Sequence, residues 1–471
     1  MRTSSIRSTD DPLSLAMLPP ESETDAERVA RLQSESDARR ISEQIDEELR
    51  IERERLKKNK SDVKLLLLGQ AESGKSTLQK QFQLMYSPAS LESERMSWRT
   101  VVYFNIVRSL RKILTTLESW EENDDASPSS VTSSQIGVAL SPSPPVSPNG
   151  TRASSPSRLG LAAIADIRRR LMPLTNTEAQ LADRLSGGVN VAGSGKGEVF
   201  VRSGWQARTI QKALSAVEAD PLADDIATML NQCREDIRTL WDHPTVKALI
   251  GTRKLKLDEW SEFFLNDIGR ISARNYVPTV DDILHARIQT MGVAEHIFDV
   301  DIHGKTVTWH LYDVGGARGQ RHSWVPYFDD ANAIIFVSPI SAFDQYLEED
   351  PRTNRIDDSL QLFTQICSNP LLKKVHLVLF LNKTDILRKK LERGIPVAKY
   401  ILSYGDRPNE YDAVVQYFRA HFLQVHRRNN ENRRVLYTHL TSVVDTKATQ
   451  SIIGNVRDSI FRGYLQSAAL V

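Results

Sequence analysis

The sequence predicts an α/β protein: a doubly wound, mostly parallel sheet domain with an all-helical domain inserted into it. Three observations carry that prediction. Short apolar runs alternate with helical patterns in the last 200 or so residues, and a glycine-rich loop joins an apolar run to a helical pattern near residue 70. Between those two regions the only periodicity is helical. Alternating strands and helices imply a sheet covered on both faces, which receives ligands at the carboxyl ends of its strands.

The elements follow in chain order. Residues 1–24 are rich in Ser, Thr, Pro and acidic residues and are expected to form a disordered tail. Residues 25–60 are strongly charged, and Ile41, Ile45, Leu49 and Leu56 fall near one helical face among Glu and Arg at i,i+4 spacing. This helix is either a solvated surface element or one that docks a partner through its apolar stripe. Residues 61–90 begin the sheet domain, with a buried strand over 63–68 and a helix opening at 77–82. Residues 91–275 read as the helical domain, led by a long amphipathic helix over 98–117. Inside it the composition breaks. Residues 127–160 hold eleven Ser and six Pro, with five Ser-Pro steps. Such a stretch cannot bury enough apolar surface to offset its ordering entropy. A disordered insert over about 119–208 is expected, with weaker helical character toward its end. Helical patterns resume at 210–273. Residues 276–471 return to the sheet domain, with strands at 307–312, 333–338, 375–381 and 435–439 and helices at 359–367, 411–423 and 448–465.

Composition narrows the function classes. The chain has 471 residues, 26% charged, and a formal net charge of +1. That balance gives no support for a nucleic-acid partner. The two cysteines, Cys233 and Cys367, are far apart and lack metal-ligand neighbours, which fits a reducing, cytoplasmic compartment. No apolar run approaches the roughly 20 residues of a membrane helix, so no direct membrane insertion is expected. Arg2 stands where myristoylation needs glycine, and no early cysteine offers a palmitoylation site.

The chemistry lies in three motifs. Gly69-Gln70-Ala71-Glu72-Ser73-Gly74-Lys75-Ser76, followed by Thr77, spells a phosphate-binding loop between strand and helix. Its backbone N–H groups would face a polyphosphate, helped by the positive end of the helix. Lys75 would reach the outer phosphates, and the Ser76 hydroxyl would hold Mg2+. Asp313-Val314-Gly315-Gly316 closes a strand, where Asp313 can hold a metal-bound water and Gly316 a bare N–H for a γ-phosphate. Taken alone it is also ordinary turn chemistry. Asn382-Lys383-Thr384-Asp385 closes another strand. A carboxylate there can accept from both N1–H and the exocyclic amine of guanine, a donor pair that adenine lacks. A small-molecule kinase using the same phosphate loop is disfavoured by this third motif.

The chain resembles the alpha subunits of heterotrimeric G proteins, with a fungal-type long insert in the helical domain. Beyond the three motifs, the likeness rests on Tyr276-Val277-Pro278-Thr279-Val280-Asp281-Asp282-Ile283-Leu284-His285-Ala286-Arg287 with Thr290, on Phe263-Phe264-Leu265-Asn266-Asp267, and on Tyr437-Thr438-His439-Leu440-Thr441. The resemblance implies a Ras-like GTPase domain with a helical lid. It implies a GTP/GDP switch that binds a beta-gamma dimer when GDP is bound and couples a G protein-coupled receptor to an unidentified effector. Such a protein would sit peripherally at the inner face of the plasma membrane through its partners. By the same resemblance, Arg287 is an arginine finger supplied in cis, and Glu72 is its resting partner. Thr290 would be a second magnesium ligand beside Ser76. Asn382, Lys383 and Asp385 would hold guanine, and the turn at Val443 would add an N–H to its carbonyl. These family roles form a worked pattern of phosphoryl transfer.

Several positions depart from the family. Ala71 replaces a glycine and Gln70 an alanine within the phosphate loop, and a β-carbon at 71 is expected to constrain it. Ala317 stands directly after Gly316, where the family carries the glutamine that orients the attacking water. Gln320, three residues on, is expected to need a displaced backbone to take its place. Trp324 matches a tryptophan that the family sets against the beta subunit. Hydrolysis is therefore expected to be slow. The rival reading is a GTP-binding interaction protein with little or no turnover.

Overall fold

Every side chain of the run Val63–Leu68 except the half-buried Lys64 meets a core, which is why the run shows no polar alternation beyond that residue. Val63, Leu65 and Leu67 face one apolar cluster, and Leu66 and Leu68 face another on the opposite side of the sheet. Burying each leucine contributes roughly 2–3 kcal/mol before ordering costs. The computed structural model describes residues 24–58, 62–125, 158–186, 200–201, 221–302, 304–430 and 434–467. The expected tail at 1–23 lies outside them, as do 126–157, 187–199 and 202–208 of the expected insert and 210–220 of the helical stretch expected after it.

The strands in chain order are β1 (Val63–Leu68), β2 (Phe200–Val201), β3 (Gln289–Thr290), β4 (Val293–Ile302), β5 (Lys305–Val314), β6 (Ala333–Pro339), β7 (His376–Asn382) and β8 (Leu436–Leu440). Six of them form one sheet in the order β4-β5-β1-β6-β7-β8. All neighbours run parallel except β4, which pairs antiparallel with β5. The remaining two, β2 and β3, make a two-residue parallel pair. Edge strand β4 escaped the sequence reading because it alternates buried and exposed residues and so lacks the continuous apolar run of β1, β6 and β7. Register sets Leu67 beside Asp313 and Pro339 beside Asn382. The three motifs therefore emerge along one edge of the sheet.

A separate apolar cluster fills the helical domain around the long helix Trp98–Asp125, where Val101, Val102, Ile106, Leu110, Ile113 and Leu117 are fully buried. Two further helices, Arg158–Thr175 and Glu178–Ser186, correct the expected insert. Both fall within 119–208, yet Ile164, Leu171, Leu174 and Leu181 are buried in this core. Their apolar spacing of three and four residues outweighs the Ser- and Pro-rich composition that precedes them. The helix Trp98–Asp125 also runs past residue 119.

The helix Asp25–Lys58 belongs to a unit of its own, residues 1–62. Ile41 and Ile45 are exposed on it. No helix among the described residues is long and apolar enough to cross a membrane.

Candidate nucleotide site

The loop after β1 needs two glycines and one strained residue. Gly69 has φ 144° and Gly74 φ 105°, and Glu72 itself sits in the left-handed region at φ 59°. Gly74 precedes the helix Lys75–Tyr86, whose N-terminus opens into a cleft. This cleft is lined by residues 71–77, by the segment 284–290 and by Gly315, Gly316, Ala317 and Gln320. Lys75 lies buried along the loop and donates to the Gly69 carbonyl at 3.0 Å and the Gln70 carbonyl at 2.8 Å. Burial pushes its ammonium down to about 8, against the pull of Asp313.

Three oxygens converge beside it. Ser76 Oγ donates to Asp313 Oδ2 at 2.6 Å, Thr290 Oγ1 donates to the same oxygen at 3.0 Å, and the two hydroxyls are 3.0 Å apart. Asp313 Oδ1 is buried with no hydrogen-bond partner among the described residues. A compact set of hard oxygen donors with a spare carboxylate lone pair fits Mg2+.

The departures in the phosphate loop are absorbed by Arg355, which sequence reasoning missed. Gln70 Nε2 donates to the Arg355 carbonyl at 2.8 Å, and Arg355 Nε donates back to Gln70 Oε1 at 3.3 Å. Arg355 Nη2 also donates to the Ala71 carbonyl at 2.6 Å, and Nη1 pairs with Glu72 at 3.0 Å. Ala71 itself keeps a negative φ, so its β-carbon meets no backbone strain. This corrects the expected constraint. Arg355 opens its helix 285 residues beyond Gln70, and no local pattern links the two.

Arg287 sits between two carboxylates. It bonds Glu72 through Nη2 and Asp258 through Nη1, the latter at 2.7 Å. Asn105 fixes its backbone from both sides, accepting from Arg287 N–H at 2.7 Å and donating to its carbonyl at 3.0 Å. Burial tends to raise the Glu72 carboxyl, but Arg287 and Arg355 outweigh it and hold the group at about 2. Lys80 supports the same segment, donating to the carbonyls of Ile283 (2.6 Å) and Ala286 (3.1 Å) while its ammonium lies 4.0 Å from the Trp98 ring centre. Upstream, Asp282 caps its helix through Thr279 and takes two bonds from Arg270 and one from Tyr276, which explains much of the 276–287 motif.

The third motif joins the site through Asn382. Its Nδ2 donates to the Ser73 carbonyl at 2.8 Å, and its Oδ1 accepts from Thr441 Oγ1 (3.1 Å) and from Val443 N–H (3.2 Å). Asn382 thus ties the phosphate loop to the turn at 441–443, and any base contact at Val443 would share an N–H already engaged. Asp385 is half-buried and accepts from Ser442 Oγ at 2.8 Å. Lys383, at φ 64°, pairs with Glu259 and lies over the Trp260 ring at 4.9 Å.

Residues 318–327 form a 3-10 turn behind Gly316. A β-carbon on Gly316 would lie 2.5 Å from Ala71 N, so only glycine lets this segment approach the phosphate loop. Arg318 and Arg321 both reach the buried carboxylate of Asp358. Trp324 is buried and donates to the Gly315 carbonyl at 2.9 Å, so its packing here is internal. Ala317 presents only a methyl group to the cleft, and Gln320 also lines it from the first turn of the 3-10 segment.

A phosphate loop at the strand ends, a hard-oxygen cluster and a guarded arginine define a phosphate-loop nucleotide-binding class. Comparison with known proteins narrows it. A family model described as G-protein alpha subunit matches residues 39–460. The chain is 32% identical to a guanine nucleotide-binding protein alpha-4 subunit of Mycosarcoma maydis, covering 98% of this chain and 96% of the relative. It is 28% identical to an alpha-7 subunit of Caenorhabditis elegans (93% and 97% covered) and 27% identical to a G(o) subunit alpha of Geodia cydonium (94% and 99%). The chain belongs to the G-protein alpha subunit family, whose members bind guanine nucleotides and act in signal transduction.

Proposed function

We propose that this protein is a GTP/GDP switch with slow intrinsic hydrolysis. The observation that carries the reading is the pairing of a preserved arginine with a missing amide: Arg287 borders the cleft between Glu72 and Asp258, while Ala317 offers no polar group. Residues 69–77 would cradle the phosphates through backbone N–H groups and Lys75, and Asn382, Lys383, Asp385 and Val443 would frame the guanine. Ser76, Thr290 and Asp313 would hold Mg2+, which supplies positive charge to the phosphate oxygens when bound. Arg287 would leave Glu72 to stabilise charge as the γ-phosphate departs, and Gly316 N–H would fix that phosphate.

In this reading the GDP form binds a beta-gamma dimer, and an activated receptor exchanges GDP for GTP. The exposed apolar residues of the helix Asp25–Lys58 supply a docking stripe, and a lipidated partner would bring the chain to the inner face of the plasma membrane. Single-turnover hydrolysis of bound GTP tests the rate. The wild type should be slow, and Ala317→Gln should accelerate it roughly 10–100-fold. If the variant is no faster, position 317 does not limit the reaction. The second reading, an interaction protein with little turnover, also draws on Ala317. It prevails if bound GTP persists in both proteins.

A further inference from the structure

We infer that Asp258 is a positioning residue that restrains the arginine finger before hydrolysis, and that Lys112 and Arg108 make the restraint releasable. The inference rests on the reading above that Arg287 acts on the γ-phosphate. Arg287, Ile288 and Gln289 line both the nucleotide cleft and a second, neighbouring cavity. Glu72 belongs to the lining of the cleft, whereas Asp258 lines the second cavity and not the cleft. One carboxylate therefore draws the guanidinium within the cleft and the other draws it away. Asn105 clamps the Arg287 backbone at both its N–H and its carbonyl, so the finger changes partners by swinging its side chain.

Asp258 holds Arg287 Nη1 at 2.7 Å, and the two side chains are only 20% and 12% exposed. Solvent and salt screen such a charge-assisted bond weakly. A guanidinium held there is not at the phosphate, so the fraction of molecules with a released finger scales the rate. Release also has to leave Asp258 satisfied, because a largely buried carboxylate stripped of its partner is strongly unfavourable. The neighbouring helix supplies replacement partners. Lys112 Nζ donates to Asp258 Oδ2 at 3.1 Å, and Arg108 Nε lies 4.0 Å from the same oxygen. Positions 108 and 112 are about one turn apart on the helix Trp98–Asp125 and so share a face. Both cations repel Arg287 while it rests on Asp258, and both neutralise Asp258 once the finger has left. Each effect shifts the balance toward release.

Asp258 and Lys112 should therefore have opposite effects on the rate, although neither lines the nucleotide cleft. Removing the carboxylate frees the finger and speeds hydrolysis. Removing the ammonium leaves Asp258 more dependent on Arg287 and slows it. Two residues that merely packed the helical domain would not divide in sign, nor would their effects depend on Arg287.

The test uses the full chain loaded with GTP and Mg2+. Single-turnover hydrolysis should rise roughly 10-fold in Asp258→Asn, which keeps the side-chain shape and removes the charge. It should fall about 3-fold in Lys112→Met, a smaller effect because that ammonium is 36% exposed and partly screened. In an Arg287→Ala background neither substitution should alter the remaining rate, because both act through the guanidinium. An unchanged or slower Asp258→Asn overturns the inference, as does a Lys112→Met effect that persists without Arg287. If Asp258→Asn accelerates hydrolysis and Ala317→Gln does not, the missing-amide reading fails and the restraint stands. The opposite pattern removes the restraint and leaves that reading intact. If the wild type holds GTP without hydrolysing it, aluminium fluoride added to the GDP form, a mimic of the departing phosphoryl group, reads the finger without turnover. Its affinity should then rise in Asp258→Asn and fall in Lys112→Met, and equal affinities overturn the inference.

Discussion

Glu72 shows how one residue can hold a charged site together. Its backbone is left-handed, a conformation that costs a non-glycine residue about 1 kcal/mol or more. Its carboxylate offsets that cost by neutralising Arg287 and Arg355 together. The group falls from an ordinary value of 4.5 to about 2 in the folded protein. Because the folded state holds the proton less tightly, the stabilisation is complete above about pH 4.5 and is lost as pH falls toward 2. Glu72→Gln is expected to reduce stability at neutral pH by on the order of 3 kcal/mol. Denaturant unfolding at stepped pH values should show the gap between variant and wild type closing below pH 4.5. A gap that stays constant across that window would locate the stabilisation elsewhere.

At the scale of elements, the phosphate loop and the loop after β7 are one assembly joined by Asn382. Gly74 is the contact point. A β-carbon there would lie 2.3 Å from Asn382 Nδ2 and 3.2 Å from Val443 Cγ2, on a backbone at φ 105°. Gly74→Ala is expected to displace Asn382 from the Ser73 carbonyl and to cost roughly 3 kcal/mol from strain and the lost hydrogen bond. Thermal unfolding should record that loss, and a nucleotide titration should show weakened binding. Unchanged affinity would mean that the two loops tolerate separation. The helices Arg158–Thr175 and Glu178–Ser186 teach a different lesson about elements. Composition argued for disorder, yet the apolar spacing within each segment supplied a buried face.

Across the whole of residues 63–471, polar bridges tie the helical domain to the sheet domain around the cleft. Lys383 pairs with Glu259, Arg287 with Asp258, and Arg253 with Asp344 and the Tyr400 hydroxyl. Arg253 is itself in the left-handed region at φ 62°, and its bridge to Asp344 spans 2.9 Å. Its side chain is about one-third exposed, so water screens the pair and its contribution is modest. Arg253→Ala is expected to loosen the lid and speed GDP release about 5-fold, equivalent to roughly 1 kcal/mol. Stopped-flow release of a fluorescent GDP analogue would read this directly. An unchanged release rate would show that the other bridges alone set the lid.

What the sequence determined by itself was local or periodic. The strands β1, β6 and β7 were legible because each is a largely apolar run, and the three motifs because each occupies consecutive residues at the end of a strand-like segment. The long helix declared itself by its spacing over 98–117, and its extension to Asp125 came from the structure. Tertiary structure decided everything that depends on contacts far apart in the chain. Arg355 meets Gln70 across 285 residues and Asn382 meets Ser73 across 309, and neither pairing leaves a mark in any window of sequence. The place of Gln320 was decided in the same way. Its offset of three residues from Ala317 became a shared edge only because the chain there winds as a 3-10 turn, with Trp324 anchored to Gly315 and two arginines held on Asp358. Sequence names the groups available to a site. Which of them meet depends on how the elements pack.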